Sequence, residues 1–135
     1  MVVNDIDPEK VLTYFFSRKD IYLVISFCGP FLKINEPVIE ECRTAVVDIL
    51  QNEVRCVVIN MHDVHEVALN CIAPLVRLQM AIRQQRTLLR LCFLETTIER
   101  ILKDQGAIRA EELSSDLVSA LMSCRDAVGA TIIKK

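Results

Sequence analysis

RCVVINM, Arg55 to Met61, is the stretch that decides how this chain folds. Val57, Val58 and Ile59 follow one another without a polar break, Cys56 extends the run, and Met61 follows Asn60 at its end. A strand that does not alternate between wet and dry sides is buried on both faces, as an inner strand of a parallel sheet is when helices cover it. Leu88 to Leu94 repeats the pattern, with Arg90 as its one charge. Between the two runs, Cys71, Leu75, Leu78 and Ile82 recur at helical spacing, and Ile72, Val76 and Met80 widen that stripe. Strand, helix and parallel strand imply a right-handed crossover.

Upstream, Val11 to Phe16 and Ile21 to Phe27 are two short apolar runs separated by Ser17-Arg18-Lys19-Asp20, which reads as a hairpin. Gly29-Pro30 ends the second strand. Asn35 and Pro37 suit a helix start, and Val38, Cys42, Ala45 and Ile49 predict a helix over residues 36–52. The second helix is predicted from about Asn70, with Pro74 in its first turn and Asn70 as its cap, to Arg86. Downstream, Thr96 and Glu99 have capping-box spacing for a third helix that Gly106 stops. A fourth is predicted from Glu111 to about Arg125. The expected architecture is α/β: a mixed four- to five-stranded sheet with about four helices mostly on one face. Residues 10–126 form its single domain, between a flexible lead-in over 1–9 and a flexible tail over 127–135.

The 135 residues fit one domain, and 52% hydrophobic residues supply a core. A net charge of −2 predicts no general affinity for nucleic acid or anionic membrane. No segment reaches the length of apolar sequence a membrane helix needs, so no membrane insertion is expected. The acidic start, with Asp5, Asp7 and Glu9, does not read as a signal peptide, which places the chain in the cytoplasm. The six cysteines, Cys28, Cys42, Cys56, Cys71, Cys92 and Cys124, sit mostly in apolar runs, as buried free thiols do.

Few residues offer chemistry. His62 and His65 stand beside Asp63 and Glu66 without the closely paired further ligands of a zinc site, so no metal is expected. Cys71 near His65 lacks an oriented base and an oxyanion site, and it falls on the apolar stripe of the second helix. The only glycines are Gly29, Gly106 and Gly129, so no glycine-rich phosphate loop exists. No catalytic residue and no cofactor are expected. One asymmetry stands out. Val67 to Leu94 holds no acidic residue but carries Arg77, Arg83, Arg86 and Arg90, either a solvated basic edge or a docking face for an acidic partner.

The order of elements at this length resembles the STAS domain, the fold of bacterial anti-anti-sigma factors. The resemblance covers about residues 10–123. It is carried by Gly29 after the second strand, Val57-Val58-Ile59-Asn60 followed by Asp63-Val64, Ala68-Leu69-Asn70-Cys71 at the second helix, Leu89 to Leu94, and Ile98-Glu99-Arg100-Ile101-Leu102 up to Gly106. It implies a bacterial signalling module in transcription regulation that docks on an anti-sigma factor, often a kinase. In that family a Ser or Thr at the start of the second helix, in a motif near Asp-Ser-Ser-Gly, is phosphorylated to break the complex. Here Asn70 holds that position, and no Ser or Thr occurs from Glu53 to Arg86. An amide cannot accept a phosphate, so the resemblance implies a docking surface without the usual switch. That surface is expected at His65, Leu69, Asn70, Cys71 and Arg77, spreading to Pro30, Phe31 and Leu32. Leu69, Phe31 and Leu32 are large apolar residues in loop positions, where the core has less claim on them. Partners left open are a subunit of a larger transport or sensor assembly, a small ligand or lipid, and a second copy of the chain.

Overall fold

The computed structural model of the chain describes residues 13–28, 31–32, 36–67 and 69–133, and the expected lead-in over 1–9 lies outside them. The elements run β1 (Thr13–Lys19), β2 (Tyr22–Cys28), β3 (Phe31–Leu32), α1 (Glu36–Ile49), β4 (Cys56–Asn60), β5 (Glu66–Val67), α2 (Leu69–Gln84), β6 (Leu88–Cys92), α3 (Thr96–Asp104), β7 (Leu113–Ser114) and α4 (Leu117–Ile133). A five-stranded sheet has the order β1-β2-β4-β6-β7. β1 and β2 are antiparallel, and the other neighbours are parallel, so the sheet is mixed.

β4 is the middle strand, and its residues Cys56 to Ile59 are all buried, as an uninterrupted apolar run requires. Alternate residues serve two cores. Leu23, Ile25, Phe27, Val57, Ile59, Leu89 and Leu91 pack under α1, α2 and α3. Cys56, Val58 and Cys92 pack with Ala120, Cys124 and Val128 of α4 on the other face. Three helices thus share one face and the fourth covers part of the opposite one. α3 ends as its sequence predicts: Gly106 adopts φ 67°, and Gly106 and Ala107 donate to the carbonyls of Lys103 and Leu102 at 2.9 Å each.

Four boundaries differ from the sequence reading. Ser17, Arg18 and Lys19 belong to β1 rather than to the turn, which is only Asp20-Ile21 with Asp20 at φ 55°. A strand at the sheet edge with one open face tolerates polar residues. α2 starts at Leu69, so Asn70 is inside the first turn rather than capping it. The stretch from Glu111 is not a fourth helix but a 3-10 turn, Ala110–Glu112, followed by β7. The cause is Arg83 at the end of α2, whose Nε and Nη2 donate to the two carboxylate oxygens of Glu112, the former at 2.9 Å, and whose Nη2 also reaches the Ala107 carbonyl. That ion pair is nearly buried and holds the segment against β6. The helix waits for Asp116, whose Oδ1 accepts the Ser119 N–H at 2.8 Å. It then runs to Ile133, through residues read as a tail, with Gly129 inside it.

Candidate functional site

The parallel strands β2, β4 and β6 all end on one side of the sheet, where open α/β sheets present their loops and where binding sites form. Asn60, the last residue of β4, organises that end. Its Nδ2 donates to Ser26 Oγ of β2 at 3.4 Å, and its Oδ1 accepts the His62 N–H at 3.1 Å and the Cys92 thiol of β6 at 3.9 Å. The next residue joins in, with the Met61 N–H donating to the Cys92 carbonyl at 3.1 Å. An amide offers both donor and acceptor, so one side chain ties three strand ends together.

Two loops rise from this base. After β4, His62 Nδ1 lies 3.0 Å from Asp63 Oδ1, and the His62 ring meets Phe93 edge-on with centroids 4.8 Å apart. Phe93 follows β6 at φ 59°, a left-handed conformation that costs a bulky residue on the order of 1–3 kcal/mol. The strain turns its ring out of the apolar run, and Phe93 is 36% exposed. His65 Nδ1 stands 3.7 Å from Glu95 Oε1, linking this loop to the entrance of α3. Beside them, a two-stranded ladder pairs Phe31 with Glu66 and Leu32 with Val67. The loop after β2 is therefore fastened along its backbone to the segment that leads into α2.

That ladder brings together the two loops the sequence reading joined. His65 is exposed, Leu69 is 88% exposed at the head of α2, and Asn70 is exposed next to it. Pro30 lies outside the described residues. Cys71 does not belong to the surface: it is fully buried with Leu75 and Leu78, because it begins the inward stripe of α2. Arg77, two turns along from Asn70 on the same face, donates through Nε to Glu40 Oε2 of α1 at 2.7 Å. Hydrogen bonds from Arg43 and then Arg77 hold the Glu40 carboxyl below the usual range. Pro74, placed by the sequence reading in the first turn, is the sixth residue of α2 and has no N–H to give the Asn70 carbonyl, the acceptor four residues back.

The basic stretch from Val67 to Leu94 does not form an open basic face. Arg77 bonds Glu40, Arg83 bonds Glu112, and Arg90 is buried with its Nε on Ser123 Oγ at 2.8 Å. Among the described residues no three His, Cys, Asp or Glu side chains converge to hold a metal ion. A hollow of about 300 Å³ lies at the ends of β6 and β7, lined by Phe93, Leu94, Glu99, Leu113, Ser114 and Ser115.

No protein-family model matches the chain, and no curated protein sequence does. Solved structures do. An anti-sigma factor antagonist from Mycobacterium paratuberculosis superposes with a TM-score of 0.69 at 18% identity, over 88% of this chain and 97% of that one. A variant of RsbS from Moorella thermoacetica gives a TM-score of 0.70 at 13% identity, over 85% and 97%. The chain has the STAS fold. A murine Solute Carrier 26 family anion transporter in its inward-facing state also matches, with a TM-score of 0.66 at 12% identity. There the match covers 82% of this chain and 18% of the transporter, so the chain spans about a fifth of that transporter's length. Among the described residues no helix is long and apolar enough to cross a membrane.

Within the STAS frame, sequence reasoning missed Phe93 and Glu95. Phe93 looks like the end of a strand, and nothing in its neighbours announces a positive φ. Glu95 enters only through its approach to His65.

Proposed function

We propose that this chain is a non-enzymatic regulatory module that binds another protein through the loop end of its sheet, in the manner of an anti-anti-sigma factor, and acts in the cytoplasm. The observation that carries the reading is Leu69, a leucine 88% exposed at the head of a helix whose Leu75, Leu78 and Ile82 turn inward. Interfaces are anchored by a few such side chains in a polar surround, and His62, His65, Asn70 and Glu95 supply that surround. Phe93 is a second anchor on the same end, and the β3–β5 ladder sets the Phe31–Leu32 backbone beside it. Because Asn70 has no hydroxyl, the complex is not broken by phosphorylation at that position; control passes through partner abundance or another residue. The fold likeness to an anion transporter supports a second reading, a domain of a larger transport assembly using the same surface. A groove of about 410 Å³ between α4 and the β1–β2 hairpin supports small-ligand sensing as a third, which native mass spectrometry of the purified protein checks.

The test is a pair of substitutions. Asn70→Asp adds a charge at the centre of the surface, and the first turn of a helix favours that charge, so the melting temperature holds. Affinity for the partner captured by the unmodified protein falls by about 1–3 kcal/mol. Leu69→Lys acts in the same direction. If both variants bind as the parent does while remaining folded, the docking surface lies elsewhere.

A further inference from the structure

The two edges of the sheet are unlike. β7 has two residues, too few to recruit a strand, whereas β1 has seven, and among the described residues it forms a ladder with β2 alone. The outward N–H and C=O groups of β1 are a template for another strand. Phe15 adds to the invitation: it stands 53% exposed on the face shared with α4. The charges of the strand decide what it accepts. Arg18 and Lys19 close its C-terminal end, and residues 13–17 carry no charge. A parallel copy in register sets Arg18 on Arg18 and Lys19 on Lys19, like charges directly opposite, which destabilise a ladder. An antiparallel copy sets the basic end of each strand against the uncharged start of the other.

We propose that two copies of this chain associate through β1, antiparallel about a two-fold axis at Phe16, so that the five strands of each copy continue into one sheet. In this register Ser17 faces Phe15, Arg18 faces Tyr14 and Lys19 faces Thr13, and all seven residues pair. Tyr14 already donates its hydroxyl to Glu41 Oε1 of α1 at 2.8 Å. Arg18 of the second copy therefore arrives beside a carboxylate on the α1 side of the sheet. Within one copy, among the described residues, Arg18 bonds the carbonyl oxygens of Asp20 and Asn52, both at exposed positions where water replaces it. On the opposite side, Phe15 of the second copy lies over Ser17, at the lip of the groove lined by Tyr22, Val24, Leu121 and Met122. Its ring leaves water against apolar neighbours. The axis makes the contact self-complementary, so assembly closes at two copies rather than growing into a fibre. None of the docking residues lies on β1, and the pairing stands or falls independently of the docking surface.

The experiment is sedimentation velocity on the full chain from about 1 to 100 µM, a range that spans the weak to moderate affinities of small interfaces. The unmodified protein is expected to move from monomer to dimer and to form nothing larger. Phe15→Lys is expected to weaken association about tenfold or more, with an unchanged melting temperature because the residue is already half exposed. Arg18→Glu and Glu41→Arg should each weaken it, and the double swap should restore it, a rescue that a fault in folding does not produce. A monomer across the whole range overturns the proposal, as does a Phe15→Lys protein that dimerises like the parent or a double swap that fails to recover.

Discussion

Replacing Arg83 by Met removes the two side-chain donors that Arg83 gives to Glu112. The pair is well inside the protein, with side-chain exposures of 20% for Arg83 and 6% for Glu112. After the change the Glu112 carboxylate keeps one bond, from the Arg109 N–H at 3.1 Å, and the Ala107 carbonyl loses its donor. Removing one partner of a fully buried ion pair costs about 3–5 kcal/mol. Arg83 is partly reached by water, which lowers the expected loss to about 2–3 kcal/mol. With a denaturant slope typical of a small domain, the urea midpoint falls by about 1–2 M. Hydrogen exchange should quicken first at Leu113 and Ser114, because Glu112 immediately precedes β7 and anchors it. The double variant Arg83→Met with Glu112→Leu leaves no orphaned charge and recovers most of the loss. A single variant that loses less than about 1 kcal/mol, or a double variant as unstable as the single, refutes the claim that this pair fastens β7 to the sheet.

Gln79 is buried in α2 and its Oε1 has no hydrogen-bond partner among the described residues, so Gln79→Leu should raise stability by about 1 kcal/mol in thermal unfolding; a drop would show that the oxygen is satisfied by water. Glu40 has a folded pKa below its unfolded value, so its stabilisation is present above the ordinary carboxylate range and is lost as pH falls through the folded value. Acid titration of the melting temperature should therefore fall less steeply for Glu40→Gln than for the parent, and parallel curves would remove Glu40 from the account. Cys42, Cys56, Cys71, Cys92 and Cys124 are all buried; burial pushes the Cys42 thiol to about 12 and the Cys92 thiol to about 11, and the Cys124 contact, then burial, raises Cys56. A thiol reagent should modify at most one of the six cysteines in the native protein, and rapid modification of two or more would mean the sheet opens.

How much of this the sequence discloses depends on the range of the interaction involved. β4 and β6 are legible because an inner strand must be apolar throughout, and the stripe of α2 because its period is local. β7 is not legible: Leu113 and Ser114 are strand only because Leu91 and Cys92 lie beside them. Glu111 and Glu112 look like the acidic first turn of a helix, and the distant Arg83, together with the Arg109 N–H, diverts Glu112. At the site, Leu69 could be singled out because a large apolar residue before a helical stripe has no inward place to go. Cys71 was misassigned to the surface by its nearness in sequence to Asn70, although its spacing to Leu75 and Leu78 already pointed it inward. Phe93 was hidden because the sign of a backbone angle leaves no mark in composition.

The missing rung at Pro74 divides α2 unequally. Beyond it the helix runs on to Gln84 without another proline and is held by Leu75, Leu78 and Ile82 in the core. Before it, the turn that carries Leu69 and Asn70 lacks the bond from residue 74, and Cys71 is its most deeply buried tether. Opening that turn therefore breaks fewer bonds than opening the helix, and its amides should exchange before those of the rest of α2. Were a partner to grip Leu69 as proposed, remodelling this one turn would leave the sheet undisturbed, so the domain would stay rigid while its contact adapts.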